Sequence, residues 1–545
     1  MFSYISKAFR WTNSQFTRFE SMINDKLPAG AHDEPPSDAK ISKLLLFLSI
    51  YWFLLWSILP LVSLDNDFID ILENIVWGRH FQFGYDKNPY IGAWLGHSFY
   101  LLTGKTLWIN YFLSQAFVLI CVVCVWKLAR RMVSSSAAFV SVLLIWPITF
   151  YGMKAVELCD DVIELGLWPL TILFFYKALR DKNKLSNWML VGLFAGLSFM
   201  TKYYAAVLFV SMGLVVLTTK EGRDSFKHAG IYLAALIFLL ISAPNIFWLR
   251  QNDFVAIYYA LNRAELSSVA NVFNWQAHID KPLRALNRAF GVIIVPLIIF
   301  LVLFFRRSPQ KQAKSTFNKR FISILCWGPF GLTIAFSFIS GACINYSWVV
   351  PCFPLLGLFC VFMYRPKIDR LNFNLFIVIL LIVSVVFSIV FSVRSFYYQG
   401  YRKRGCDYES YPGKAISKTI TDEWHTLFNT SLPYIIGERM ESCNVALYSS
   451  DLPQAYFSAN PDFSQWIDEE DVRRKGAVIL WRKGRLPKWL KRFDTPKSGS
   501  RLSTIVTKSY NRAVPAWFKS LMTKPPKSII ICYCFIIPKE KVEKK

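Results

Sequence analysis

Ionisable side chains set against long apolar runs are expensive, and this sequence gathers them in three places. The first is a polar stretch holding Asp65, Asp67, Asp70 and Glu73, then Arg79, His80, Asp86 and Lys87. The second is a turn carrying Lys154, Glu157, Asp160 and Asp161. The third is Lys202, alone between two apolar runs. Carboxylates and cations around one pocket suit a base that takes a proton from an acceptor hydroxyl while the cations hold a phosphate leaving group. Each residue also has a plainer reading. Acidic side chains in loops are commonly there for water, and a lone Lys at a helix end snorkels. Residue types alone therefore reach as far as an outward-facing enzyme or transporter. No tight His and carboxylate set demands a metal, so no cofactor is expected, although two outward aspartates could bind a divalent cation weakly.

The elements that must position these groups cross a membrane. The chain has 545 residues, 54% of them hydrophobic, above the 45–50% usual for soluble domains. A spanning helix needs about 20 apolar residues. Leu44–Val62, Leu107–Trp126, Gly230–Trp248, Phe290–Phe305, Phe321–Ile339, Val349–Met363 and Leu375–Val393 answer that requirement. Ala137–Phe150, Val162–Tyr176, Trp188–Met200 and Ala205–Leu217 are shorter or interrupted by polar residues. The expectation is eleven spans, or about 11–13 helices with short ones hidden in the loops.

A net charge of +26 first suggests nucleic acid. Its distribution excludes that, because Lys and Arg crowd alternate loops: Arg130 and Arg131, Arg180 to Lys184, Lys220 to Lys227, Arg306 to Arg320, and Arg365 to Arg370. The positive-inside rule puts these loops and the basic N-terminal tail in the cytoplasm and the intervening loops outside. The expected division is a cytoplasmic tail over 1–42, a transmembrane domain over 43–396 with outward loops 63–106 and 249–288, and an outward domain over 397–545. No cleavable leader is read in the tail. Tyr90–Leu102 reads as a helix lying at or dipping into the outer surface. In the outward domain Gly413–Phe428 reads as helix, and Pro433–Ile436, Val445–Tyr448, Ala477–Trp481 and Ser528–Ile537 as strands, giving a small α/β unit. Cys406 and Cys443 could pair there or remain free thiols.

The first loop resembles that of a known family. It runs Asp70-Ile-Leu-Glu73, then Gly84-Tyr85-Asp86-Lys87-Asn88-Pro89, then Trp94-Leu95. Further motifs follow in order: Glu157-Leu-Cys-Asp-Asp161 with Trp168, Gly196-Leu-Ser-Phe-Met-Thr-Lys202-Tyr203, Ala243-Pro-Asn-Ile-Phe-Trp248, and Asn345-Tyr-Ser-Trp348 with Pro351. Tyr411-Pro-Gly, Trp424-His425, Leu432-Pro-Tyr434 and Trp466-Ile-Asp468 resemble the soluble tail of one subgroup. Together they are similar to bacterial polyprenyl-phosphate-sugar-dependent membrane glycosyltransferases of the C-type fold. That group includes the lipid A aminoarabinose and galacturonic acid transferases and is related to protein O-mannosyltransferases.

The resemblance implies an inverting hexosyl or pentosyl transferase at the periplasmic face of the bacterial inner membrane. Its donor would be an undecaprenyl-phosphate-type sugar, and its acceptor lipid A, lipopolysaccharide core or another glycan. Asp70 is the expected base, with Asp65 and Asp67 as competitors, and Asp161 would position the acceptor or assist. Lys87, Lys202 and Arg263 would neutralise the lipid phosphate, while Glu73, Tyr85, Asp86, Asn88 and Tyr203 would contact substrate. A transporter or flippase for a lipid-linked saccharide is the rival reading. Against it, no internal repeat is visible and the polar groups cluster on one face, not at the midplane.

Overall fold

A computed structural model describes residues 36–266, 275–307, 315–398, 408–483, 487–493, 501–520, 522 and 525–538. Most of the N-terminal tail and Cys406 lie outside these residues.

Sixteen helices matter here. They are α1 (Asp38–Ser63), α2 (Ile69–Gly78), α3 (Ile91–Leu102), α4 (Ile109–Ala129), α5 (Ser135–Leu143), α6 (Asp160–Arg180), α7 (Leu185–Phe199) and α8 (Ala206–Thr218). Then come α9 (Ala229–Gln251), α10 (Val255–Arg263), α11 (Trp275–Leu303), α12 (Thr316–Ser340), α13 (Leu356–Tyr364), α14 (Arg370–Val393), α15 (Gly413–Phe428) and α16 (Arg439–Tyr448).

Among the described residues, seven helices are long and apolar enough to cross a membrane: α1, α4, α6, α9, α11, α12 and α14. The other four expected spans are shorter helices, so eleven full-length spans are not reached. At α5 the helix stops at Leu143 and the buried chain continues as turns through Ile148. Leu46, Phe47, Ile50 and Leu54 on α1, and Val385, Val386 and Ile389 on α14, remain exposed, as expected for faces that meet hydrocarbon. Between α7 and α9 the backbones nearly touch. A Cβ at Gly192 would lie 2.4 Å from the Ala234 carbonyl oxygen, a close helix approach that small residues permit in membranes.

The basic connectors share one end of the bundle. Arg180 lies 4.0 Å from Glu221, Arg320 donates to the Thr218 carbonyl at 2.6 Å, and the Lys367 amide donates to the Arg306 carbonyl. The acidic turns, α2 and α3 occupy the opposite end.

Two local readings need correction. The second loop, 249–288, is largely helical, with α10 inside it and α11 beginning at Trp275. Ala277, Lys281, Ala285, Ala289, Ile293, Pro296 and Phe300 form one buried stripe at helical spacing. The polar opposite face hid that stripe, since it contains Asp280, Arg284 and Arg288. Val445–Tyr448 is not a strand but the end of α16. Its residues Met440 to Leu447 are all buried, so burial carries no period that separates helix from strand here.

The C-terminal unit is a mixed sheet with helices against it. Its strands are β1 (Tyr434–Gly437), β2 (Gln454–Phe457), β3 (Ala477–Arg482), β4 (Arg501–Leu502), β5 (Val506–Asn511) and β6 (Ser528–Ile537). The order is β2-β1-β3-β6, with β4 and β5 both pairing with β6. β1 runs parallel to β2 and β3, in register Ile436 with Ile479. β6 is antiparallel to β3. β1 and β3 are continuous apolar runs because both their faces are covered. Cys443 is a buried free thiol.

This unit is fastened to the membrane domain beside α2. Arg79 donates to the Ala446 carbonyl at 2.7 Å, and Trp466 stacks on His80 with centroids 4.6 Å apart. Tyr448 donates to Asp67 at 2.9 Å, and Trp517 donates to the Val62 carbonyl at 2.8 Å.

Candidate functional site

A cavity of about 420 Å³ opens between α2, the start of α6, the Lys202 turn, α10 and the Asn345–Trp348 segment. Asp70, Glu73, Lys87, Asn88, Asp161, Lys202, Tyr203 and Arg263 all line it, so eight of the ten expected residues converge from five parts of the chain. Tyr85 and Asp86 do not line it. Tyr85 is fully buried, stacked on Trp77 at 5.2 Å. Asp86 is 1% exposed and paired with Arg439. Both hold the loop in place and neither faces the cavity.

The first loop folds as α2, a reversal and α3. Gly84 must be glycine at this reversal, because a Cβ there would sit 2.3 Å from the Trp248 ring. The Ala243–Trp248 motif clamps the loop a second time. Asn245 donates to the Phe83 carbonyl at 2.6 Å and accepts from the Tyr203 hydroxyl at 2.8 Å. Trp94 completes the hold by donating to the Gln82 carbonyl at 2.9 Å.

Of the three competing aspartates, Asp70 alone lines the cavity. Asp67 accepts from Tyr111 at 2.7 Å as well as from Tyr448, and Asp65 faces Lys414. Asp70 lies in the first turn of α2. Burial, followed by the nearby Glu73 carboxylate, pushes its carboxyl up to about 6, against the pull of Lys87. Glu157 behind it is pushed well up, first by burial and then by Asp70.

The cations are paired at rest. Lys202 meets Asp161 at 2.5 Å. Lys87 reaches both oxygens of Glu73 at 2.8 Å. Burial lowers the affinity of Lys87 for its proton, but Glu73 outweighs it and the ammonium is held above its usual range. Lys202 is raised for the same reason by Asp161, against its burial. Glu73 is penalised by burial, yet Arg439 and Lys87 hold it below the usual carboxylate range. Arg263 is exposed at the end of α10, where the cavity joins a second one of about 550 Å³ lined by Arg263, Glu265, Arg288 and Asn345.

Some contributors escape a reading of motifs. Tyr259 on α10 lies in a segment without an evident pattern, and Lys87 stands 5.9 Å from its ring centroid. Arg439 comes from the C-terminal unit and pairs with both Glu73 and Asp86. No local signal links it to a loop so far away in sequence. Among the described residues, no group of three or more His, Cys, Asp or Glu is arranged to hold a metal ion.

The architecture is the C-type glycosyltransferase fold: a multi-span helical membrane domain, helices α2 and α3 at one face, and a small α/β domain on that face. The crystal structure of ArnT from Cupriavidus metallidurans bound to undecaprenyl phosphate superposes with a TM-score of 0.55 at 13% identity, over 90% of this chain and 97% of that one. Its apo form gives 0.54.

The particular relatives agree. The family model for dolichyl-phosphate-mannose-protein mannosyltransferase matches residues 87–248. The lipid A galacturonosyltransferase RgtD of Rhizobium johnstonii is 24% identical over 47% of this chain and 52% of its own length. The lipopolysaccharide core galacturonosyltransferase RgtB of the same organism is 22% identical over 59% and 65%. An undecaprenyl phosphate-alpha-4-amino-4-deoxy-L-arabinose arabinosyl transferase of Pectobacterium carotovorum is 27% identical over 50% and 48%. The chain thus spans about half to two thirds of the length of these relatives. It is similar to the polyprenyl-phosphate-sugar-dependent membrane glycosyltransferases in sequence and shares their fold.

Proposed function

We propose that the protein is an inverting glycosyltransferase. It moves a hexosyl or pentosyl group from a polyprenyl-phosphate donor to lipid A or lipopolysaccharide core at the periplasmic face of the inner membrane. The observation that carries this reading is the meeting of Asp70 with Lys87, Lys202 and Arg263 in one cavity.

In the proposed step an acceptor oxygen attacks the anomeric carbon from the side opposite the phosphate. Its proton passes to Asp70, the bond from the anomeric carbon to the phosphate oxygen breaks, and the electron pair leaves with the phosphate. A raised Asp70 is a better proton acceptor than an ordinary carboxylate and is still ionised near neutral pH. Lys87 and Arg263 face the charge that grows on the leaving phosphate. Asp161 keeps Lys202 charged and oriented, and its free oxygen is available to an acceptor hydroxyl. Asn88 and Tyr203 complete the polar lining. No step is routed through a metal ion.

Lipid A mass spectrometry tests the reading in cells with the gene deleted, restored, and restored as Asp70→Ala. The expected result is a glycosyl mass lost on deletion, regained with the wild type and not with the variant. Lipid A and core sugars unchanged in all three strains would refute the acceptor class. Transfer retained by the variant would refute Asp70 as the base.

A further inference from the structure

Glu73 and Asp86 are 2% and 1% exposed, and carboxylates that deep must be neutralised by neighbours. Lys87 meets Glu73 alone. Arg439 meets both, one guanidinium nitrogen on each carboxylate. Two anions thus face two cations across the join between the membrane domain and the C-terminal unit. The guanidinium is held 4.9 Å from the Phe457 ring, 5.5 Å from Phe463 and 5.6 Å from Trp77. Lys87 stands 5.7 Å from the same Trp77 ring and faces the cavity. Arg439 does not line it.

We propose that Arg439 is a positioning residue for the transfer reaction: by neutralising Asp86 and sharing Glu73 with Lys87 it lets the Lys87 ammonium present net positive charge to a lipid phosphate in the cavity. This rests on the donor class proposed above. Without the guanidinium, two buried carboxylates would share one ammonium. The field at the phosphate position would then turn negative. The C-terminal unit then sets donor affinity through one side chain, without touching the donor.

The test is the binding of undecaprenyl phosphate to the purified full-length protein in detergent. Arg439→Met should weaken Kd by about tenfold or more. Adding Asp86→Asn, which removes one anion for the lost cation, should return Kd to within about threefold of wild type. Asp86→Asn alone should bind at least as tightly as wild type. Arg482→Met, which removes the 2.6 Å Arg482–Glu441 pair of the same unit, should also bind as wild type. Undiminished binding by Arg439→Met overturns the proposal, and so does a double variant as weak as the single one, because the loss would then be structural. A tenfold loss in Asp86→Asn alone or in Arg482→Met overturns it too, and these arms do not depend on Arg439→Met folding. A wild-type protein that fails to bind the probe overturns the donor reading and this proposal together, whereas wild-type binding with an unresponsive Arg439 overturns this proposal alone.

Discussion

Replacing Asp70 by Asn should stabilise the protein while abolishing transfer, and the stabilisation should grow with pH. The Asp70 carboxyl sits at about 6 in the folded protein, against 3.8 ordinarily, chiefly through burial and then through Glu73. A group raised in this way favours folding when protonated. Its contribution is complete below about 3.8 and is lost as pH rises through about 6. At pH 8 the ionised carboxylate therefore weighs against the folded state. A shift of roughly two units at 1.36 kcal/mol each gives about 3 kcal/mol, and water reaching the open cavity reduces this to about 1–3 kcal/mol. Asn has nearly the same shape and carries no charge at any pH. Thermal unfolding of purified wild type and variant should show the variant ahead by roughly 1–2 °C near pH 5, where about half of the cost is already present, and by roughly 2–5 °C near pH 8. Wild-type transfer should rise with pH through about 6 as the base ionises. A variant no more stable at pH 8 than at pH 5, relative to wild type, would refute the account of a carboxylate held ionised at a cost.

Lys87→Met should lower kcat/KM for the lipid donor by about 100-fold to 1000-fold, because it removes a cation facing the leaving phosphate; an unchanged kcat/KM in a detergent transfer assay would remove Lys87 from that role. Gly84→Ala should cost about 1–3 kcal/mol of stability, read as a lower thermal midpoint, since the new methyl group meets the Trp248 ring at 2.3 Å; a midpoint equal to wild type would show that the ring gives way.

The sequence made the membrane domain legible through its long apolar runs and alternating basic loops, and the site through Asp70, Lys87, Asp161 and Lys202. These residues lie in short motifs, and the order of the motifs carried the information. Asp65 and Asp67 could not be separated from Asp70 in the sequence, because only tertiary contacts show that Tyr111, Tyr448 and Lys414 engage them. Tyr85 and Asp86 looked like substrate contacts because they share the loop with Lys87. Their side chains alternate inward, however, toward Trp77 and Arg439. The amphipathic start of α11 reads as loop because its polar residues dominate the linear sequence. Arg439 was invisible for a different reason: its partner Glu73 is 366 positions away, and no local pattern encodes such a pair.

That separation has a consequence for how the protein is made. Glu73 is synthesised early and Arg439 near the end, after all the membrane helices. Until the last domain is made and docked, the nascent protein carries two carboxylates with one partner between them. The loop that bears them then lacks the guanidinium that joins it to the C-terminal unit. The charge balance beside the cavity is thus completed only when the last domain is in place.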